Sequence, residues 1–156
     1  MAVKEFISQQ ARKRFEEPPQ LSETERSSLL VIPLWAKLII DQVTSSTNKA
    51  GFILQVGYFR LMGRFFHPKA YPQKDIDFIV QKFSADPNEV HIDEYKTSTY
   101  HRHREIILQG FGFKPYSGNT SAHKSLLEEA TRMSRNQTKP SLIFDNLVAY
   151  LWEKRI

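Results

Sequence analysis

The stretch of residues 48–63, NKAGFILQVGYFRLMG, is the most hydrophobic run of the sequence and decides the fold class. At about 100° per residue, Lys49, Arg60 and the following Arg64 fall on one narrow stripe of a helical wheel. Large apolar side chains cover most of the remaining circumference. This pattern predicts a central helix that is buried on most sides and shows one basic edge.

Small residues and end signals add detail to this central helix. Ala50 and Gly57 share a second stripe, over which a neighbouring element can approach closely. Asn48 is a favourable N-cap, and Gly63 suits the left-handed position that follows many helices. We therefore expect Asn48 to cap the helix and Gly63 to end it.

Helical signals also fill the flanking sequence, and no stretch alternates between polar and apolar residues for long enough to indicate a β-sheet. Ser22 and Glu25 form a capping-box pattern, and prolines mark several helix starts. The predicted fold class is all-α, a compact multi-helix domain of about seven or eight helices around the central one. The flanking helices are expected at residues 1–17, 22–30, 33–43, 72–83, 87–95, 99–109, 121–133 and from 140 onward.

Length and composition predict one globular domain over residues 1–156, with residues 1–17 as a peripheral helix. The absence of cysteine excludes disulfides and thiolate metal sites and favours a cytoplasmic location. Arg60 and Arg64 interrupt the best candidate for a membrane span, so we expect no membrane partner. The N-terminal residues lack the apolar core of a signal peptide.

The net charge of +5 is distributed in blocks. Residues 42–74 carry five basic and no acidic side chains, residues 75–95 carry one basic and six acidic, and residues 96–124 carry five basic and one acidic. Two basic blocks therefore flank an acidic one. The blocks fit either a solvated surface with chance clustering or a polyanion-binding face built from the two basic blocks.

Signals for catalysis are weak in this sequence. His101 and His103 are two residues apart, so on a helix they point in nearly opposite directions and cannot bind one metal ion. His103 falls on the apolar side, where we expect a packed, hydrogen-bonded structural histidine. Acidic pairs such as Asp75 and Asp77 lie near helix starts or on exposed faces, where the helix dipole and solvent account for them. We predict no catalytic residue, no metal and no cofactor in this domain.

The basic residues are more informative. Phe65, Phe66 and Tyr71 interleave with the first basic block, and core packing is the simplest interpretation of these aromatic side chains. Basic side chains next to aromatic and polar groups also suit contacts with DNA phosphates and with some nucleobase edges. We expect either His101 or Gln109 to reach base edges. The predicted DNA-binding residues are the outward basic residues of both blocks together with His101: Lys49, Arg60, Arg64, Lys69, His101, Arg102, Arg104 and Lys114.

Several motifs together resemble a known family. Gly51, Phe52, Gln55 and Tyr58 match the N-x-x-G-F-x-x-Q-x-x-Y pattern of the N-terminal, DUF4158-like domain of Tn-three family replicative transposases. Residues 99–116 resemble the later pattern of the family, a threonine, a histidine four residues on, and then Gly-aromatic-basic-x-aromatic. Residues 21–26 resemble its start, and the similarity spans roughly residues 17–156 in the right order.

The resemblance implies a non-catalytic helical module that binds the double-stranded terminal inverted repeats of a transposon. The partners implied are that DNA and the remainder of a transposase chain, whose metal-dependent catalytic centre lies in a larger C-terminal part. Residues 152–156 resemble the place where the family chain passes to its next module, so we expect a fragment of a larger bacterial transposase. The alternatives are a helical protein-interaction module of the transposition complex and a small stand-alone enzyme.

Overall fold

The structure, a computed structural model, describes residues 8–83, 86–136 and 139–156. Every regular element in these residues is helical, so the all-α fold class is confirmed. The segment 1–7 of the predicted peripheral helix lies outside the described residues. The α-helices are α1 (Gln9–Glu16), α2 (Glu23–Ser28), α3 (Leu34–Gln42), α4 (Ser46–Met62), α5 (Gln73–Lys82), α6 (Thr97–Gly110), α7 (Thr120–Asn136) and α8 (Pro140–Lys154), with 3₁₀ turns at Pro68–Ala70, Pro87–Glu89 and Ile92–Glu94.

The chain divides into two compact units. We call Glu16–Phe111 the α4 unit, and the described part of residues 8–15 and 112–156 the α8 unit. The prediction of a single domain over residues 1–156 stays a prediction.

Helix α4 is the centre of the α4 unit. Eleven of its 17 residues are buried, and it packs against α3, α5 and α6. A Cβ added to Gly57 would lie 3.2 Å from the backbone Cα of Leu29, which confirms the close approach expected at this position. Gly51 likewise lets the ring of Tyr95 pack closely, since an added Cβ would lie 2.5 Å from a ring carbon of Tyr95. The prediction of a helix buried on most sides is therefore confirmed.

The ends of α4 agree with the prediction on one side only. Gly63 ends the helix with a φ of 69°, as expected. The N-cap is Ser45, and the prediction of Asn48 is wrong. The Ser45 hydroxyl accepts the backbone N–H of Asn48 at 3.3 Å, so the helix gains one more turn at its start than the apolar pattern indicated.

Other helix boundaries also differ from the pattern. The capping box is confirmed, since Ser22 and Glu25 exchange side-chain-to-backbone hydrogen bonds in both directions. The helix predicted over residues 87–95 is wrong, because this segment forms two separate 3₁₀ turns. Thr97, predicted to precede α6, lies in its first turn.

The interpretation of Asp75 as a solvated helix-dipole residue is wrong. Its side chain is fully buried, and one carboxylate oxygen accepts Arg26 Nε at 2.7 Å. The other oxygen accepts the Tyr58 hydroxyl at 2.5 Å. Burial, together with this carboxylate, raises the pKa of Tyr58 far above its usual range, so the phenol stays protonated and donates. Asp75 thereby joins α5 to α2 and to α4.

The α8 unit contains α1, α7 and α8. Phe15 of α1 meets Phe144 of α8 edge-on at 5.3 Å between ring centroids, and Phe113 contacts Trp152 at 4.9 Å. No residue of α8 is fully buried, although most of its side chains are apolar. Within the described residues, no helix combines the length and the hydropathy that crossing a membrane requires.

Candidate nucleic-acid interface

Tyr100, in the first turns of α6, joins the two basic blocks. Its ring lies 6.3 Å from the ring of His67, which belongs to the loop after α4, and 5.2 Å from that of His101. The guanidinium carbon of Arg104 lies 5.6 Å from the centre of the same ring. Loop 64–70 and the first half of α6 therefore form one surface, which we call the Tyr100 face.

Arg104 is held on this face by a stack of aromatic rings. Its guanidinium lies over Phe65 at 4.9 Å, and Phe65 is stacked on Phe59 with 4.7 Å between ring centroids and 18° between planes. A guanidinium in a cation–π contact of this kind retains N–H donors that can bind a phosphate. The stack restricts the rotamers of Arg104, so less entropy is lost when it binds.

Buried contacts hold the loop that carries His67 and Lys69 in place. Phe66 is buried and meets Tyr58 of α4 edge-on at 5.5 Å. His67 Nδ1 accepts the backbone N–H of Lys69 at 3.2 Å, which places His67 as the cap of the turn Pro68–Ala70. The side chains of His67 and Lys69 are exposed. The exposed side chains of His67 and Lys69 therefore extend from a backbone that these contacts hold in place.

A buried hydrogen-bond chain supports α6 beneath the face. Gln55 Nε2 donates to the Tyr95 hydroxyl at 2.5 Å, and this hydroxyl lies 2.6 Å from His103 Nδ1. Burial, with a smaller effect of Arg102, lowers the pKa of His103 to about 4, so its imidazole is neutral near pH 7. The unprotonated Nδ1 can accept a hydrogen bond from the Tyr95 hydroxyl, and the histidine is 2% exposed. The expectation of a packed, hydrogen-bonded His103 is confirmed.

The structure brings some of the predicted DNA-binding residues together. Lys69, His101 and Arg104 belong to the Tyr100 face, and Arg64 begins its loop. Arg60 is half-buried, and its guanidinium donates to the backbone carbonyl of Ser28, so it braces the end of α2. The predicted contact of Arg60 with DNA stays a prediction. Its guanidinium already has a hydrogen-bond partner in the Ser28 carbonyl.

The remaining predicted residues lie elsewhere. Lys49 is near the start of α4 and lines a cavity whose other charged residues are acidic. Arg102 is exposed on α6, about 160° around the helix from Arg104. Lys114 belongs to the α8 unit, where its backbone N–H donates to the carbonyl of Arg155 at 2.8 Å.

Three residues of the face were missing from the predicted set. Phe65 was interpreted as a core side chain, and Tyr100 and His67 are not among the predicted DNA-binding residues. Tyr100 is itself buried, and its ring contacts the residues that are exposed around it. The spacing of Tyr100 and Arg104, four residues apart on one helix, was the available signal for their contact. The contact of Arg104 with Phe65 had no such signal, because it joins segments far apart in sequence.

Among the described residues, no group of three or more His, Asp or Glu side chains is arranged to hold a metal ion. His101 is exposed and His103 is buried, as expected for two helix positions that point in different directions.

Comparison with known proteins gives one family. No curated protein and no solved structure matches the chain significantly. The profile of the family described as "Domain of unknown function (DUF4158)" matches residues 6–156, which is nearly the whole sequence. The chain therefore belongs to the DUF4158 family.

Proposed function

We propose that this chain is a non-catalytic, DNA-binding module of a transposase that recognises the terminal inverted repeats of its transposon. The observation that supports this proposal is the Tyr100 face, where loop 64–70 and α6 contribute cations from both basic blocks. The resemblance of the sequence motifs to Tn-three family transposases supports the same function.

The face has the chemistry that phosphate contact requires. Arg104 offers a planar, pre-positioned fork, Lys69 a mobile point charge, and His67 and His101 two ring N–H donors. The aromatic rings beneath them keep the cations at the surface. If Arg64, Lys69 and Arg104 each contact one phosphate, log Kd should change with log salt concentration with a slope of about 2.5 to 3.

Fluorescence anisotropy with duplex DNA tests the proposal. One labelled duplex carries the terminal repeat of the transposon that encodes the chain, and the other has the same composition in scrambled order. We expect tighter binding to the repeat, with the steep salt dependence given above. Equal affinity for both duplexes would refute sequence recognition, and no binding at low salt would refute the DNA role.

Variants of the face make the test specific to its residues. Arg104→Ala and Lys69→Ala should each weaken binding several-fold and reduce the salt slope by about one contact. Lys37→Ala, which removes an exposed cation from α3, is the control and should leave both quantities unchanged. Stable self-association without DNA, unaffected by the Arg104 variant, would favour the protein-interaction alternative instead.

A further inference from the structure

A cavity of about 360 Å³ lies in the α4 unit, away from the residues of the Tyr100 face. It is formed by the end of α3, the first two turns of α4, the end of α5 and the turn Pro87–Glu89. Its volume is at the lower end of the range for ligand-binding pockets in proteins. The space suits one or two side chains and is too small for a helix.

One part of the cavity wall is apolar. Phe83 stands at the end of α5 with 41% of its surface exposed. The other apolar residues of the wall belong to the core and contribute only small exposed areas: Ile40, Ala50, Ile53, Ile79 and Val80. An apolar side chain that entered here would meet the core of the α4 unit.

The charged residues of the cavity are mainly acidic. Asp41, Asp86 and Glu89 contribute three carboxylates, and Lys49 contributes one ammonium group. All three carboxylates belong to exposed residues, so they lie toward the solvent side. The cavity is therefore net negative on a chain whose net charge is positive.

Local hydrogen bonds hold two of these carboxylates in place. Glu89 accepts the Ser46 hydroxyl at 3.1 Å, and its backbone carbonyl accepts the Thr47 hydroxyl at 3.2 Å. Asp86 accepts the backbone N–H of Asn88 at 2.8 Å and so caps the turn. These bonds tie the turn to the start of α4 and keep the acids beside the apolar wall.

We propose that this cavity is a docking site for a peptide segment of a partner protein, in which one apolar side chain is flanked by lysine or arginine. The apolar side chain enters the cavity, and the flanking cations meet the carboxylates of Asp41, Asp86 and Glu89. Charge complementarity selects this occupant, since a polyanion is repelled by the same carboxylates that attract a basic segment. Two of the six acidic residues of the block 75–95, Asp86 and Glu89, belong to this cavity.

The direct test is an NMR titration of the ¹⁵N-labelled chain with a synthetic peptide that carries leucine between lysine and arginine. We expect shifts of the amide signals of Ser46, Ala50, Val80 and Phe83, while those of Tyr100 and Arg104 stay in place. Two control peptides replace the leucine by glycine or both basic residues by glutamate. Neither should cause these shifts.

A charge variant and a matched control measure the contribution of the carboxylates. The variant combines Asp41→Asn, Asp86→Asn and Glu89→Gln, and asparagine remains a good cap at position 86. It should weaken peptide binding about tenfold, as expected for two partly exposed ion pairs between the peptide cations and these carboxylates. The control combines Asp77→Asn, Asp93→Asn and Glu94→Gln, which removes the same charge from exposed residues outside the cavity and should change the affinity less than about twofold.

Three results would overturn the proposal. The first is equal binding of the basic and the acidic peptide, and the second is equal weakening by the variant and its control. The third is sedimentation that shows the chain forming a dimer which the cavity variant dissolves, because the occupant would then be a second copy. None of these results bears on DNA binding by the Tyr100 face, which is measured separately.

Discussion

Helices α4 and α8 are similar in length and apolar character, but they differ in what surrounds them. Eleven of the 17 residues of α4 are buried, whereas none of the 15 residues of α8 is. Gly51 and Gly57 let Tyr95 and Leu29 approach α4 closely, and α8 contains no glycine. The hydrophobicity of a helix therefore does not decide how deeply it is buried. The number of neighbours and the distance at which they can pack decide it.

The largest expected effect comes from the buried carboxylate of Asp75, which accepts a hydrogen bond from Tyr58 of α4. Asp75→Ala should lower the free energy of unfolding by about 3–5 kcal/mol, because it leaves the Arg26 guanidinium and the Tyr58 hydroxyl without their partner. Urea unfolding followed by circular dichroism measures this loss.

Two controls relate this result to the comparison. Asp77→Ala removes an exposed carboxylate from the same helix and should change the stability by less than about 0.5 kcal/mol. Glu129→Ala breaks the ion pair with Arg132 in the α8 unit and should have a much smaller effect than Asp75→Ala, since that pair is on the surface. A mild effect of Asp75→Ala would contradict the buried network.

A pair of leucine truncations tests the difference in packing directly. Leu54 of α4 is fully buried, and Leu147 of α8 is only half-buried. Leu54→Ala should cost about 3 kcal/mol, because a cavity remains in a densely packed core. Leu147→Ala should cost about 1 kcal/mol, since less apolar surface returns to water. Equal losses in the urea midpoint would show that the two helices are packed alike.

The smallest effect is a pH dependence that the α4 unit should show through His103. Its pKa is about 4 in the folded chain and about 6.5 when unfolded, so the unfolded state binds the proton more readily. The stability is fully present above pH 6.5 and is lost as the pH falls toward 4. We expect a loss of about 2 kcal/mol between pH 7 and pH 5.

His103→Asn is the matched variant, because an amide oxygen can still accept the Tyr95 hydroxyl but does not titrate. Urea unfolding at pH 7, 6 and 5 should show a steep decline for the original chain and a flatter one for the variant. Parallel declines would mean that other groups cause the dependence.

The sequence predicted the fold class and the scaffold well. The apolar run of α4, the capping box at Ser22 and the end at Gly63 are local patterns, and local patterns can be read from neighbouring residues. The position of Asp75 could not be predicted, because Arg26 lies 49 residues away and nothing in the sequence marks it as the partner. The buried hydrogen bonds from Gln55 through Tyr95 to His103 could not be predicted for the same reason.

The predicted binding residues show the same limit. Lys49, Arg60 and Arg64 share a stripe on the helical wheel, but their surroundings differ. Lys49 lies beside acidic residues and Arg60 contacts a backbone carbonyl, while Arg64 begins the loop of the Tyr100 face. A wheel gives the direction of a side chain and does not give the groups that it meets.

By itself, the sequence determined that this protein is helical, that its centre is residues 48–63, and that its charge is segregated into blocks. These properties follow from periodicity and composition, which act over a few residues at a time. Only the tertiary structure decided which cations share a surface, because that depends on how α6 packs beside loop 64–70 through Tyr100. The same packing buried Asp75 and separated the acidic cavity from the basic face, since contacts between distant segments are fixed only when the helices assemble.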